Sequence, residues 1–127
     1  MTGLSRVESF LISLEIQYEE VAPNAWLIND EGRGLSQVVI TSADPVVVIR
    51  AKVMEVPKER RLELFETLLR LNASDLLHGA YALDGDDIIL VDTLESETMD
   101  KSELEASLDA VGFALAQHYP VLGKFRA

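Results

Sequence analysis

The sequence has 127 residues, 48% of them hydrophobic and 26% charged, which suits one soluble globular domain over 1–127 and excludes a disordered chain. Acidic side chains outnumber basic ones 22 to 11, for a formal charge of −11 at pH 7. Such a surface repels phosphate backbones and anionic membranes, so no nucleic acid and no membrane is expected as a partner, and basic or amphipathic protein segments fit better. The lack of cysteine excludes disulfides and thiolate metal sites.

The first helix is predicted to start at Ser5, whose hydroxyl caps a backbone N–H, with Glu8 reaching back to complete a capping box. Val7, Phe10, Leu11 and Leu14 then share a face. The apolar run from Phe10 to Leu14 is broken by Ser13 and followed by Glu15, unlike a signal peptide or a membrane span, so the expected location is cytoplasmic.

From Leu14 the pattern alternates, placing a strand near Ile16 to Tyr18, and Pro23-Asn24 makes a turn. Further strands are read at Ala25 to Asn29, Ser36 to Thr41 and Val46 to Val53, all antiparallel because the connections are too short for crossovers. In the longest, Val47, Ile49, Ala51 and Val53 face the core, and Val46, Val48, Arg50 and Lys52 face away.

Pro57 suits the first position of a second helix, running to about Asn72. Leu62, Phe65 and Leu69 form one stripe and Leu64, Leu68 and Leu71 another, a wider apolar arc than one-sided packing requires. After a linker at Ala73 to Leu77, strands at Gly79 to Leu83 and Asp87 to Thr93 turn on Asp84-Gly85-Asp86. The last helix is capped by Asp100 with Glu103, carries Leu104, Leu108, Val111, Leu115, Tyr119 and Leu122 on one stripe, and is limited by Pro120. The fold expected is α+β, a twisted antiparallel sheet with helices packed on it, in the order α-β-β-β(-β)-α-β-β-α.

Catalytic chemistry finds little support. Asp84, Asp86 and Asp87 cluster, but Ile88 falls where a calcium loop of the helix-loop-helix type needs another oxygen ligand. Glu19, Glu20, Glu95, Glu97 and Asp100 read as solvated charges. His78 and His118 lack the spacing of a metal pair, and His118 reads as packed near a helix C-terminus. No serine sits in an activating context, and Gly32-Arg33-Gly34 lacks the Lys-Ser/Thr that would follow in a phosphate loop. No catalytic, cofactor-binding or metal-binding residue is therefore assigned, and no cofactor is expected.

Apolar residues outside the core stripes are more informative. Trp26, Val46 and Val48 would form a partner-binding patch if they met on the outer sheet face, and Phe113, opposite the last helix's stripe, is a further partner-binding candidate. Leu64, Leu68 and Leu71 are the expected dimer interface.

The element order, together with Tyr18-Glu19-Glu20-Val21, Trp26-Leu27, Leu68-Leu69-Arg70-Leu71-Asn72 and Ala82-Leu83-Asp84, resembles the YbjN-domain family. It is equally similar to the class I type III secretion chaperone fold, to which the effector chaperone for the translocated intimin receptor belongs. The similarity spans nearly the whole chain and is best from Leu62 to Leu115. It implies a small acidic dimer that binds protein segments and catalyses nothing. The function expected is thus a non-enzymatic, chaperone-like or regulatory homodimer holding a protein partner, in a bacterial cytoplasm. The rival readings are a small-molecule or metal-binding protein or enzyme using Asp84, Asp86 or Glu19, and a structural subunit of a larger assembly.

Overall fold

The computed structural model describes residues 5–76 and 78–126. In chain order these form α1 (Arg6–Ser13), β1 (Tyr18–Ala22), β2 (Ala25–Asp30), β3 (Leu35–Ala43), β4 (Val46–Glu55), α2 (Arg61–Ser74), β5 (Ala80–Asp84), β6 (Asp87–Glu95) and α3 (Lys101–Gly123), with a 3-10 turn at Glu31–Arg33. The α+β order is the expected one, with four strands preceding the second helix. Leu77, in the expected linker, lies outside the described residues.

Every strand pair is antiparallel, in the spatial order β1-β2-β3-β4-β6-β5. The chain leaves β4 through α2, enters the far edge as β5 and turns back, so that β6 is the strand that pairs with β4. Gly85, with φ 61°, supplies the left-handed conformation of that hairpin.

Side-chain alternation gives the sheet two faces. One continuous inner row is Tyr18, Ile28, Val38, Ala51, Leu90 and Tyr81, each directly opposite the next. α3 lies against β3, β4 and β6 and closes the core with Leu104, Leu108, Val111 and Leu122, while α1 adds Val7 and Leu11. A register shift between Lys52 and Met54 turns Met54 inward opposite Ile88 and leaves Val53, expected on the core face, only half-buried.

Several element ends differ from expectation for local reasons. Ser5 accepts from the Glu8 N–H at 3.1 Å, but the Glu8 carboxylate takes the Tyr18 hydroxyl at 3.1 Å instead of closing a capping box. That proximity and desolvation push the Tyr18 phenol up, desolvation being the larger cause. At α3 the box does form, with Glu103 N–H to Asp100 at 2.8 Å and Asp100 N–H to Glu103 at 3.1 Å.

Pro57 does not open α2, because Arg60 is in the left-handed region at φ 60° and a helix continues only from Arg61. Pro120 does not end α3 either. The Ala116 carbonyl it leaves without a helical donor belongs to an exposed residue, and the helix continues to Gly123. Tyr119, expected on the core stripe, is 64% exposed under the Arg126 guanidinium, which lies 4.8 Å from its ring centre.

Candidate protein-interaction surfaces

The structure does not bring together the residues expected to meet a partner. Trp26 pairs with Ile40, which pairs with Ile49, so all three share the inner face, and Trp26 is 1% exposed. It is a core residue and does not meet Val46 and Val48. In the sequence both Trp26 and Leu27 are apolar, which leaves the parity open; Ile28 and Asn29 carry the signal, since only the Trp26 parity continues with an apolar residue.

Val46 and Val48 do face outward, half-buried, and Leu27 occupies the place expected for Trp26. Leu27 opposes Val39, Val39 opposes Arg50, and Arg50 opposes Val91. The next row is Thr41, Val48 and Thr93, and the one after is Ala43, Val46 and Glu95. No described helix lies over these rows, so Leu27, Val39, Val46, Val48 and Val91 form an open apolar field on the outer side.

That field ends toward β5 in a charged margin. Arg50 reaches across β6 to Asp84 at 2.8 Å, and Lys52 lies 3.6 Å from Asp87. Between them Ile89, opposite both Lys52 and Ala82, is only 5% exposed, so the long basic stems cover it. The acids of the hairpin turn thus face cations, and Asp86 is exposed. Among the described residues no three His, Asp or Glu side chains converge as metal ligands would.

Helix α2 keeps its two leucine stripes but assigns them opposite to expectation. Leu64 is fully buried and Leu68 is 6% exposed, both within the protomer's own core, with Leu71 half-buried beside them. The stripe left over is Leu62, 74% exposed, and Leu69, 67% exposed, with half-buried Phe65 between. Either stripe satisfies helical periodicity. Which one meets β5 depends on how α2 is rolled onto the sheet edge, and the observed roll buries Leu64 and Leu68 while the Asn72 carboxamide engages the Tyr81 backbone.

Phe113 is exposed on the solvent side of α3, across the whole domain from Val46 and Val48. Inside that helix, His118 is 2% exposed. Its Nδ1 lies 2.6 Å from the Tyr81 hydroxyl, and its Nε2 lies 3.1 Å from Asp75 at the end of α2. Burial, and secondarily the Asp75 charge, push the Tyr81 phenol up to about 12. Hydrogen bonds from Ser74 and then His118 hold the Asp75 carboxyl below its usual value. His118 joins α2, β5 and α3 as packing; His78 is exposed.

The CesT_Tir_1 family model matches residues 2–127. No curated protein sequence matches the chain. Solved structures of the same fold include YbjN from E. coli, with 17% identity, a TM-score of 0.68 and 94% of this chain against 93% of that one. A chain of the heterodimeric ExoU–SpcU complex from the type III secretion system of Pseudomonas aeruginosa has 14% identity, a TM-score of 0.73 and coverage of 90% and 95%. A chain of the complex between the Yersinia pestis type III secretion chaperone SycH and a stable fragment of YscM2 has 17% identity, a TM-score of 0.59 and coverage of 87% and 93%.

Proposed function

The chain belongs to the CesT_Tir_1 family, and on that premise we propose that it is a non-enzymatic, chaperone-like or regulatory module that works as a homodimer and holds a segment of a partner protein. The observation that carries this reading is the open outer face of Leu27, Val39, Val46, Val48 and Val91, an apolar field left without a helix in a domain whose described helices pack their buried residues into the core on the inner face. These side chains are half-buried with no further layer over them, which makes an apolar surface that another polypeptide can cover. Structures of the same fold in which a secretion chaperone holds another protein's fragment support the reading.

Homodimerisation is assigned to the exposed stripe of α2, Leu62, Phe65 and Leu69, in place of the buried stripe of Leu64 and Leu68. The partner, the cytoplasmic site of action and the absence of catalysis belong to the same proposal. Affinity capture from the native cell, followed by identification of what is held, tests it. The same partner should be recovered by the parent protein and lost when Leu27, Val46 and Val48 are changed together to serine. Recovery unchanged by that triple substitution removes the outer face from the proposal.

A further inference from the structure

The chain is strongly acidic, yet four of its 11 basic residues, Lys58, Arg60, Lys124 and Arg126, line one cleft of about 850 Å³ between the segment leading into α2 and the turn after α3. Its apolar lining comes from Met54, Val56, Pro57 and Phe125. Two acids also line it, Glu55 and Glu59. Glu55 lies 3.8 Å from Lys52, and the Arg60 guanidinium is held by Glu63 at 2.8 Å and by the Lys124 carbonyl at 3.1 Å while lying 4.7 Å from the Phe125 ring centre.

Among the described residues Lys58, Lys124 and Arg126 have no carboxylate within ion-pair distance, and of the lining acids Glu59 has no cation within it, so four cations against two acids leave the lining with an excess of positive charge. Arg126 also buries its Nη1 with no hydrogen-bond partner among those residues, while its Nη2 donates to the Val53 carbonyl at 3.3 Å. The guanidinium is thus anchored against the protein, with its ring-side face 4.8 Å from the Tyr119 ring centre, and its charge lies at the cleft wall.

We propose that this cleft binds an acidic segment of a partner protein, its carboxylates meeting Lys58, Lys124 and Arg126 and its apolar side chains resting on Val56 and Phe125. The charge complementarity is local. At physiological ionic strength charges are screened over roughly 8 Å, so the four cations of the lining, against its two acids, count for more than acids elsewhere on the molecule. The mixed lining selects a peptide bearing both acids and apolar groups over a bare anion, which would gain nothing from the apolar wall. The proposal rests on the reading of the chain as a protein-binding module, but on residues outside the outer sheet face.

The test is fluorescence anisotropy with a labelled peptide alternating glutamate and leucine, and with its glutamine counterpart. Lys58 and Lys124 are exposed, so Lys58→Glu with Lys124→Glu leaves the core intact. The acidic peptide should bind the full chain, weaken as salt is added, and lose about 10-fold or more in affinity with the double variant. The Leu27, Val46 and Val48 serine variant should bind it normally. Equal binding of the glutamine peptide, no binding of the acidic one, or no loss with the double variant overturns the proposal. Loss of the peptide only in the serine variant overturns it too, while leaving the outer-face reading standing.

Discussion

Asn72 holds the backbone of Tyr81 as a neighbouring strand would. Its Oδ1 accepts from the Tyr81 N–H at 2.7 Å, and its Nδ2 donates to the Tyr81 carbonyl at 3.2 Å. Tyr81 lies on β5, the edge of the sheet, where unpaired N–H and C=O groups would template pairing with another chain. One side chain from α2 thus pairs the Tyr81 position of that edge and ties the helix to it.

Asn72→Ala removes both bonds and leaves two part-buried backbone groups unpaired. A loss of about 1–3 kcal/mol is expected, or roughly 3–15 °C in Tm. Thermal and urea unfolding measure it, and light scattering of the variant reports whether the opened edge promotes self-association.

Replacing glycine by alanine inside a helix ordinarily stabilises by about 0.5–1 kcal/mol. At Gly112 the sign reverses, because a Cβ there would lie 2.5 Å from the Arg33 carbonyl oxygen, where α3 crosses the loop before β3. Gly112→Ala should cost about 1–3 kcal/mol in urea unfolding. Gly123→Ala, with nothing within 4 Å of the added carbon, should cost nothing.

The two leucine stripes of α2 separate by substitution. Leu62→Asp with Leu69→Asp should shift sedimentation from a dimer to the 14.1 kDa protomer and leave the protomer folded. Leu64→Ala should instead cost about 2–5 kcal/mol of stability through the cavity it leaves. A parent protein that sediments as a protomer at micromolar concentration would remove the homodimer from the proposed function.

The Tyr81 phenol titrates at 10.0 when unfolded and at about 12 in the folded chain. Between those values the native state binds more protons than the unfolded one, so stability falls as pH rises through that window. Below 10.0 this contribution is fully present. Urea midpoints measured at both ends of the window should fall for the parent and fall less for Tyr81→Phe. That variant also starts lower at neutral pH, because His118 Nδ1 loses the hydroxyl at 2.6 Å.

Much of the fold was legible because local rules suffice for it. Alternation placed the starts of β2, β4 and β6 at Ala25, Val46 and Asp87, and the Asp100–Glu103 box marked the start of α3. Local rules failed where distant groups intervene. Glu8 is drawn to Tyr18, and Arg60, in a left-handed conformation, sends its guanidinium to Glu63 and to the Lys124 carbonyl. The basic cleft left no trace in the sequence, since Lys58 and Arg60 stand more than 60 residues from Lys124 and Arg126.

The sequence by itself determined the alphabet of elements, the two apolar faces of α2 and the excess of apolar side chains over what one core needs, because each depends only on periodicity and composition. The tertiary structure decided that Trp26 is inside and Leu27 outside, that Leu64 is core and Leu62 surface, and that β6 pairs with β4 while β5 takes the edge. The reason is parity and roll. Periodicity fixes which residues share a face, but only contact with a second element fixes which face that element covers.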